Sequence, residues 1–174
     1  MIEKITVTEI RGALKELKAG QQILLSGTVY TARDAAHKRL IACLQAEETP
    51  PFPLKDAAIY YAGQAGIPEG RVIGACGPTT SGRMDKFTPT LIKAGVVCHI
   101  GKGNRSKEVY DAMKTYGGVY LLALGGIGAL AAKYIKKNTP VAYQDLGCES
   151  IKELTFENFP LHIGIDTFGN TMFK

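Results

Sequence analysis

Nine consecutive residues, Gly77-Pro78-Thr79-Thr80-Ser81-Gly82-Arg83-Met84-Asp85, place three hydroxyls and one guanidinium in a single turn. An arginine offers a planar pair of donors and bare backbone amides add partial positive charge, so such a turn favours a carboxylate or a phosphate. The two glycines are expected to take positive φ and let the chain approach a ligand, and Pro78 to stiffen the entry. Two more cations are offered on similar ground. Arg33, in Thr31-Ala32-Arg33-Asp34, stands between a predicted strand and a predicted helix, where free N–H groups and the helix dipole already favour an anion. Lys102 lies between Gly101 and Gly103 at the end of an apolar run. Taken singly, each has an ordinary alternative: a polar loop with a surface arginine, Arg33 paired with Asp34 or Glu47, and a solvated lysine in a turn. His37, one helical turn beyond Arg33, reads as a packing or orienting residue.

The elements that must position these groups alternate between strand and helix patterns. A helix is predicted over 9–17 with Thr8 as its cap, a strand over 22–30, and a helix over 35–45 with Asp34 as its cap. Residues 49–53, with three prolines, form a loop. Strands follow at 57–62 and 72–76, the second delivering the chain to the hydroxyl-rich turn, so that this turn falls at a strand's carboxyl end. Thr88 and Pro89 open a helix that Gly95 stops. A strand at 96–100 leads to Lys102, Ser106 caps a helix that ends at Gly117-Gly118, and 119–124 is a buried strand. Gly125-Gly126-Ile127-Gly128 lacks the full spacing of a dinucleotide fingerprint and fits close packing better. An alanine-rich helix over 129–137, a short strand over 140–143, a helix over 149–154, a strand over 161–166 and an edge segment over 171–173 complete an α/β reading with polar loops at several strand ends.

The chain has 174 residues, 45% of them hydrophobic and 21% charged, enough for one core and too apolar for disorder. Its net charge of +5 is scattered, without the basic stripe and interleaved aromatics of a nucleic-acid surface. The four cysteines, Cys43, Cys76, Cys98 and Cys148, show no C-x-x-C spacing, which argues against a metal or cluster site made by this chain alone. No leader pattern opens the sequence and no apolar run spans a bilayer, so a cytoplasmic protein is expected.

Arg33-Asp34-Ala35-Ala36-His37-Lys38-Arg39, residues 77–85, and Ile100-Gly101-Lys102-Gly103, in this order and spacing, resemble the β subunit, or C-terminal domain, of class I iron–sulfur hydro-lyases. That family includes fumarate hydratase and L-tartrate dehydratase. The similarity extends through Ala142-Tyr143-Gln144-Asp145-Leu146-Gly147 to the ending at Asn170. The resemblance implies a single swivelling β/β/α domain over 1–174. It also implies a [4Fe-4S] cluster held by a partner α subunit that carries the cluster cysteines, not by this chain. A small C4 dicarboxylate substrate and an αβ assembly that dimerises further come with it.

Carried over by motif, Arg33, Arg83 and Lys102 are the carboxylate clamps, Ser81 a substrate-binding residue, and Thr79, with Arg83 and Lys102, catalytic. An unperturbed threonine hydroxyl is a weak base, so Thr79 needs deprotonation or a relay through the other subunit. Ala32, Ala36 and Gly82 are more similar to fumarate hydratases, making fumarate to (S)-malate the first expectation and L-tartrate or mesaconate the alternatives. A non-catalytic anion-binding module, and a domain that only stabilises its partner, are the readings from other classes.

Overall fold

The computed structural model describes residues 1–123 and 128–174. Gly125, Gly126 and Ile127 of the glycine-rich segment therefore lie outside the described residues. The architecture is mixed α/β, as the alternating pattern predicts. Its strands are β1 (Glu3–Thr6), β2 (Gln22–Thr31), β3 (Ala58–Tyr60), β4 (Cys98–Gly101), β5 (Val119–Leu122), β6 (Ile135–Ala142) and β7 (Ile151–Ile165). The helices are α1 (Ile10–Ala13), α2 (Asp34–Gln45), α3 (Thr88–Lys93), α4 (Lys107–Tyr116) and α5 (Gly128–Ala131).

One seven-stranded sheet holds all of them in the order β1-β2-β3-β4-β5-β7-β6, and β7 also pairs with β2. The four neighbours β2, β3, β4 and β5 run parallel, and β7 is antiparallel to both β2 and β5. The sheet thereby closes on itself. Alternation of side chains along each strand then sorts residues onto two faces. Ala58, Tyr60, Ile100, Leu121, Phe156 and Phe159 belong to one cluster, which also takes in Ile23, Leu25 and Val29 of β2. Ile59 and Tyr61 belong to a second cluster, with Ala36 and Leu40 of α2 and Leu91 of α3, and Tyr120 to a third with Val109 and Met113 of α4. Both faces of β3 are buried, which is why it reads in sequence as an unbroken apolar run.

Because β2, β3 and β4 are parallel, their carboxyl ends lie at one rim, and the segments carrying Arg33, Gly63 and Lys102 leave from there. The 77–85 turn reaches that rim by a different route from the expected one. Residues 72–76 form no strand. A side chain at Gly74 would collide with the carbonyl oxygens of Ala65 and Gly66, so this segment lies against a neighbouring loop and has no room in the sheet. Ile73 and Cys76 are nonetheless buried, and burial is what the apolar run reports.

Other boundaries moved for identifiable reasons. Thr6, not Thr8, precedes the first turn, where the Glu9 carboxylate accepts from its amide at 2.8 Å. Arg33 takes the cap position of α2 and Asp34 its first turn; Phe87 precedes α3. Most of the helix expected at 149–154 is the start of β7, whose buried positions Ile151, Leu154, Phe156, Phe159, Leu161 and Ile163 follow strand alternation with two breaks, one after Ile151 and one near Asn158 (φ 50°). The alanine-rich helix ends at Ala131, a 3-10 turn follows, and 136–137 already belong to β6. Of the edge segment at 171–173, one isolated pairing of Thr171 with Ile165 forms.

Candidate active site

The 77–85 turn is laced across the ends of β3 and β4 by backbone contacts. Pro78 pairs with Ala62, Thr79 N donates to the Tyr61 carbonyl at 2.7 Å, Thr80 pairs with Lys102, and Ser81 N donates to the Lys102 carbonyl at 2.9 Å. The turn ends in a 3-10 segment, Ser81–Met84, that presents Arg83. Contrary to expectation, neither Gly77 nor Gly82 adopts positive φ. Gly77 supplies room instead: its ideal Cβ would touch Gly128 Cα at 3.4 Å.

Arg83 is half exposed, and its Nε donates to Asp34 Oδ1 at 3.1 Å. Asp34 therefore holds one edge of the guanidinium while the two terminal nitrogens make no hydrogen bond among the described residues. Arg33 lies against Gly63, whose ideal Cβ would meet its guanidinium at 2.9 Å. Gly63 follows the Ala62–Pro78 pairing, so Arg33 and Thr79 flank the same crossing. Arg33 Nε stands 3.9 Å from Glu149 Oε1, and both atoms are buried without a hydrogen-bond partner. A polar ligand or water would relieve that cost. Lys102 makes no ion pair and Thr79 Oγ1 no hydrogen bond among the described residues. Four of the five residues expected from sequence thus stand on adjoining segments at this rim, each with a polar group that the described residues leave without a hydrogen bond. Ser81 differs: it is fully buried, with its Oγ 2.7 Å from the Tyr120 hydroxyl, and it underpins the turn.

An open cleft of about 610 Å³ runs along the flank of the turn, lined by Gly82, Arg83, Asp85, Lys86, Ser106 and Glu108. It touches Arg83 but not Thr79, Lys102 or Arg33, so the chemistry is better placed by the adjoining donors than by this hollow.

Beneath the turn lies a buried polar layer that sequence reading left out. Arg105 Nε donates to Asp85 Oδ1 at 2.6 Å, and its terminal nitrogen donates to Thr88 Oγ1 at 2.7 Å and to the Tyr61 hydroxyl at 3.1 Å. Burial opposes its charge, but the nearby phenol oxygen of Tyr61 and the Asp85 carboxylate outweigh that and hold it protonated. The Tyr61 hydroxyl also lies 2.8 Å from His99 Nδ1. Both Asp85 and Arg105 stand in or beside the motifs already singled out, yet a charge next to a turn reads as solvated unless its partner is known.

Close approach has a testable consequence at Gly101. A methyl group there would collide with Ser81 Oγ and come within 2.8 Å of Tyr61 Cδ2. Since Ser81 is the pivot joining the turn to Lys102, Gly101→Ala is expected to displace Thr79 and Arg83 together and lower kcat/KM by roughly 10²-fold or more. Steady-state kinetics on the folded variant, assembled with the partner that completes the enzyme, check this; a loss under about threefold contradicts it.

His37 proves to be an orienting residue. Its Nδ1 lies 2.8 Å from the Arg33 carbonyl, which accepts only, so Nδ1 carries the proton. The ring sits edge-on to Tyr61 (5.4 Å) and stacks on Phe87 (5.8 Å). Burial, reinforced by the Arg105 charge, pushes the imidazole down to about 4 despite its bond to Arg33. His99 is shifted the same way by burial. The unfolded chain takes up the His37 proton near the ordinary histidine value, whereas in the folded chain His37 resists until about pH 4. The contribution is therefore complete above the ordinary value and is lost as pH falls through the window to about 4. Urea midpoints should drop across that window, and His37→Asn should flatten the slope; a slope unchanged by the substitution contradicts the assignment.

Among the described residues no group of three or more His, Cys, Asp or Glu is placed to hold a metal. Cys43, Cys76 and Cys98 are buried and Cys148 is exposed. Burial pushes the Cys76 thiol up to about 12 and Cys98 higher still, the opposite of a ready thiolate ligand. Among the described residues no helix is long and apolar enough to cross a membrane.

A family profile described as Fumarase C-terminus matches residues 2–174. The chain belongs to this family. It is 40% identical over 173 residues to fumarate hydratase 2 of Leishmania major, covering 98% of this chain and 30% of that protein. It is 40% identical over 168 residues to the aerobic class I fumarate hydratase of Escherichia coli K12, covering 95% of this chain and 31% of that protein. A Methanocaldococcus jannaschii protein named "Putative L(+)-tartrate dehydratase subunit beta" is 38% identical over 167 residues, 92% of this chain and 86% of that protein. The chain thus spans about 30% of the length of the fumarate hydratases it matches.

Proposed function

We propose that this chain, as one domain over 1–174, is the β part of a [4Fe-4S]-dependent hydro-lyase that interconverts fumarate and (S)-malate. The observation that supports the reading is that the segments carrying Arg33, Arg83, Lys102 and Thr79 adjoin at one rim of the sheet, with three cations whose donors the described residues do not fill. A C4 dicarboxylate brings two negative charges. The open ends of the arginines suit its carboxylates bidentately, and Lys102 adds a point charge.

In the dehydration direction a proton leaves the carbon beside one carboxylate and hydroxide leaves the neighbouring carbon, giving the alkene and water. As the C–H bond breaks, charge builds on the adjacent carboxylate. Fixed cations aimed at that carboxylate stabilise it more in the transition state than in the ground state. Thr79 is assigned to the proton at that carbon, helped by a group on the partner. Ser81 acts from below, fixing the turn against Tyr120. Asp34 orients the Arg83 guanidinium, and Glu149 sets a negative charge beside that of Arg33 without a hydrogen bond.

The residues present do not fit the cluster, so no step on this chain is drawn through it; it belongs to a partner α subunit. Alignment over most of a protein named as a subunit beta supports that arrangement. We assign an αβ assembly that dimerises further, in a reducing cytoplasm that suits four unpaired cysteines. The deciding assay follows fumarate, L-tartrate and mesaconate with this chain alone and with its cysteine-bearing α partner. Turnover of fumarate is expected only in the assembly. A preference for L-tartrate would move the chain to the dehydratase branch, and turnover by this chain alone would overturn the two-part reading.

A further inference from the structure

Arg105 belongs to no role assigned so far, yet few charged side chains in the molecule are as enclosed. Its side chain is 0% exposed and its ion-pair partner Asp85 15% exposed. The guanidinium lies over the rings of Tyr61 (5.1 Å) and Tyr120 (4.8 Å), in contact with two phenols. Its hydrogen bonds reach Asp85, Thr88 and Tyr61, three separate segments. Burying a charge this deeply is costly, and one terminal nitrogen of Arg105 is buried without a partner, so the bonds made by the other two nitrogens must offset that cost.

What the geometry fastens is specific. The 3-10 segment that presents Arg83 begins at Ser81 and is followed by Asp85. At its front, Ser81 N is bound to the Lys102 carbonyl at 2.9 Å. At its rear, Asp85 Oδ1 takes Arg105 Nε at 2.6 Å and Oδ2 takes the Ser106 amide at 2.7 Å. Between the two, the Tyr120 hydroxyl lies 2.7 Å from Ser81 Oγ and donates to the Gly103 carbonyl at 2.8 Å. The phenol is placed to donate to both and shares its one hydrogen between them. Both ends of the segment that carries Arg83 are thereby pinned to the loop that carries Lys102.

We propose that Arg105 is a positioning residue which, through Asp85, locks the Thr79–Arg83 turn to the Lys102 loop and so sets the spacing between the substrate-binding cations. This rests on the substrate roles given above to Arg83, Lys102 and Thr79. Lysine cannot replace it: an ammonium lacks the planar fork needed to serve Asp85, Thr88 and Tyr61 at once from its place over two rings. A pair that merely stabilised the fold would leave the activity of each folded molecule untouched. A clasp that sets geometry would not, because sub-ångström displacement of reacting groups lowers rate steeply.

The test uses the assembled enzyme with Arg105→Lys and with Asp85→Asn, each alone and combined with Arg83→Lys. It reads kcat/KM per folded molecule together with amide hydrogen exchange. Arg105→Lys is expected to lower kcat/KM by roughly 10²-fold, and to cost under about tenfold more once Arg83 is already lysine. The Ser81 and Ser106 amides should exchange at least about tenfold faster while those of β4 and β5 keep their protection. Wild-type kcat/KM in Arg105→Lys, full additivity with Arg83→Lys, or wild-type exchange at Ser81 and Ser106 would each overturn the proposal. Should Arg105→Lys fail to fold, Asp85→Asn keeps the shape of the acid and decides by the same readings. A wild-type assembly inert toward every dicarboxylate would remove the functional reading, and the exchange measurement would still decide whether the clasp exists.

Discussion

Replacing Arg83 by lysine in the assembled enzyme is expected to lower kcat/KM by roughly 10²- to 10³-fold although the charge is kept. Asp34 occupies the Nε edge of the guanidinium at 3.1 Å, which orients the remaining pair of nitrogens outward from the turn. That pair matches the two oxygens of a carboxylate, with both hydrogen bonds strengthening as charge accumulates. A lysine in the same place has one nitrogen for two tasks. If it turns to Asp34 it leaves the substrate, and if it turns to the substrate it leaves Asp34 unpaired beside the start of α2. Because the interaction strengthens in the transition state, kcat should fall as well as the apparent affinity. Kinetics of the Arg83→Lys assembly measure both; an efficiency within about threefold of wild type would take Arg83 out of the clamp.

Thr79→Val should separate chemistry from binding. Valine keeps the branched shape beside the Ala62–Pro78 crossing, and the Thr79 amide still reaches the Tyr61 carbonyl, so the turn should hold its course. The substitution removes only a hydroxyl that the described residues leave without a partner. If that hydroxyl moves the proton, kcat falls by about 10²-fold or more, KM changes little, and exchange of the malate C3 hydrogen with solvent slows in parallel. If it merely binds substrate in ground and transition states alike, KM rises and kcat is kept. Unaltered kcat and exchange would place the base on the partner.

The segments that carry the proposed site residues were more legible than the strands behind them, because backbone features that sequence displays mark them. Lys102 between two glycines, and Arg83 at the close of a hydroxyl-rich turn, are patterns a single chain shows. The rim that gathers them was inferred from the wrong strand. Residues 72–76 are apolar because they are buried, and burial against a loop and burial in a sheet write the same letters; only the space around Gly74 distinguishes them. The error did not move the turn, since β3 and β4 supply the carboxyl ends in place of the missing strand.

Strand β7 was split into a helix and a strand for a related reason. It serves three neighbours, β2, β5 and β6, so its burial pattern changes along its 15 residues, and Lys152, Glu153 and Glu157 interrupt what would otherwise be plain alternation. Ser81 shows the opposite limit. Its hydroxyl belongs to the motif, but whether it faces ligand or core depends on Gly101, a residue twenty positions away whose lack of a side chain is what admits it. Arg105 was invisible because nothing local says that a charge three residues after Lys102 turns inward, toward an aspartate and two tyrosines drawn from distant segments.

We infer that the cations and hydroxyl at this rim form the dicarboxylate site of a hydro-lyase. A crystal structure of the complete assembly with (S)-malate bound tests it most directly. The expected result is a malate whose two carboxylates are in hydrogen-bond contact with the terminal nitrogens of Arg83, with Arg33 and with Lys102, and whose C3 faces Thr79 Oγ1. A malate seated elsewhere, with Arg83 and Lys102 still facing open solvent, would contradict the account.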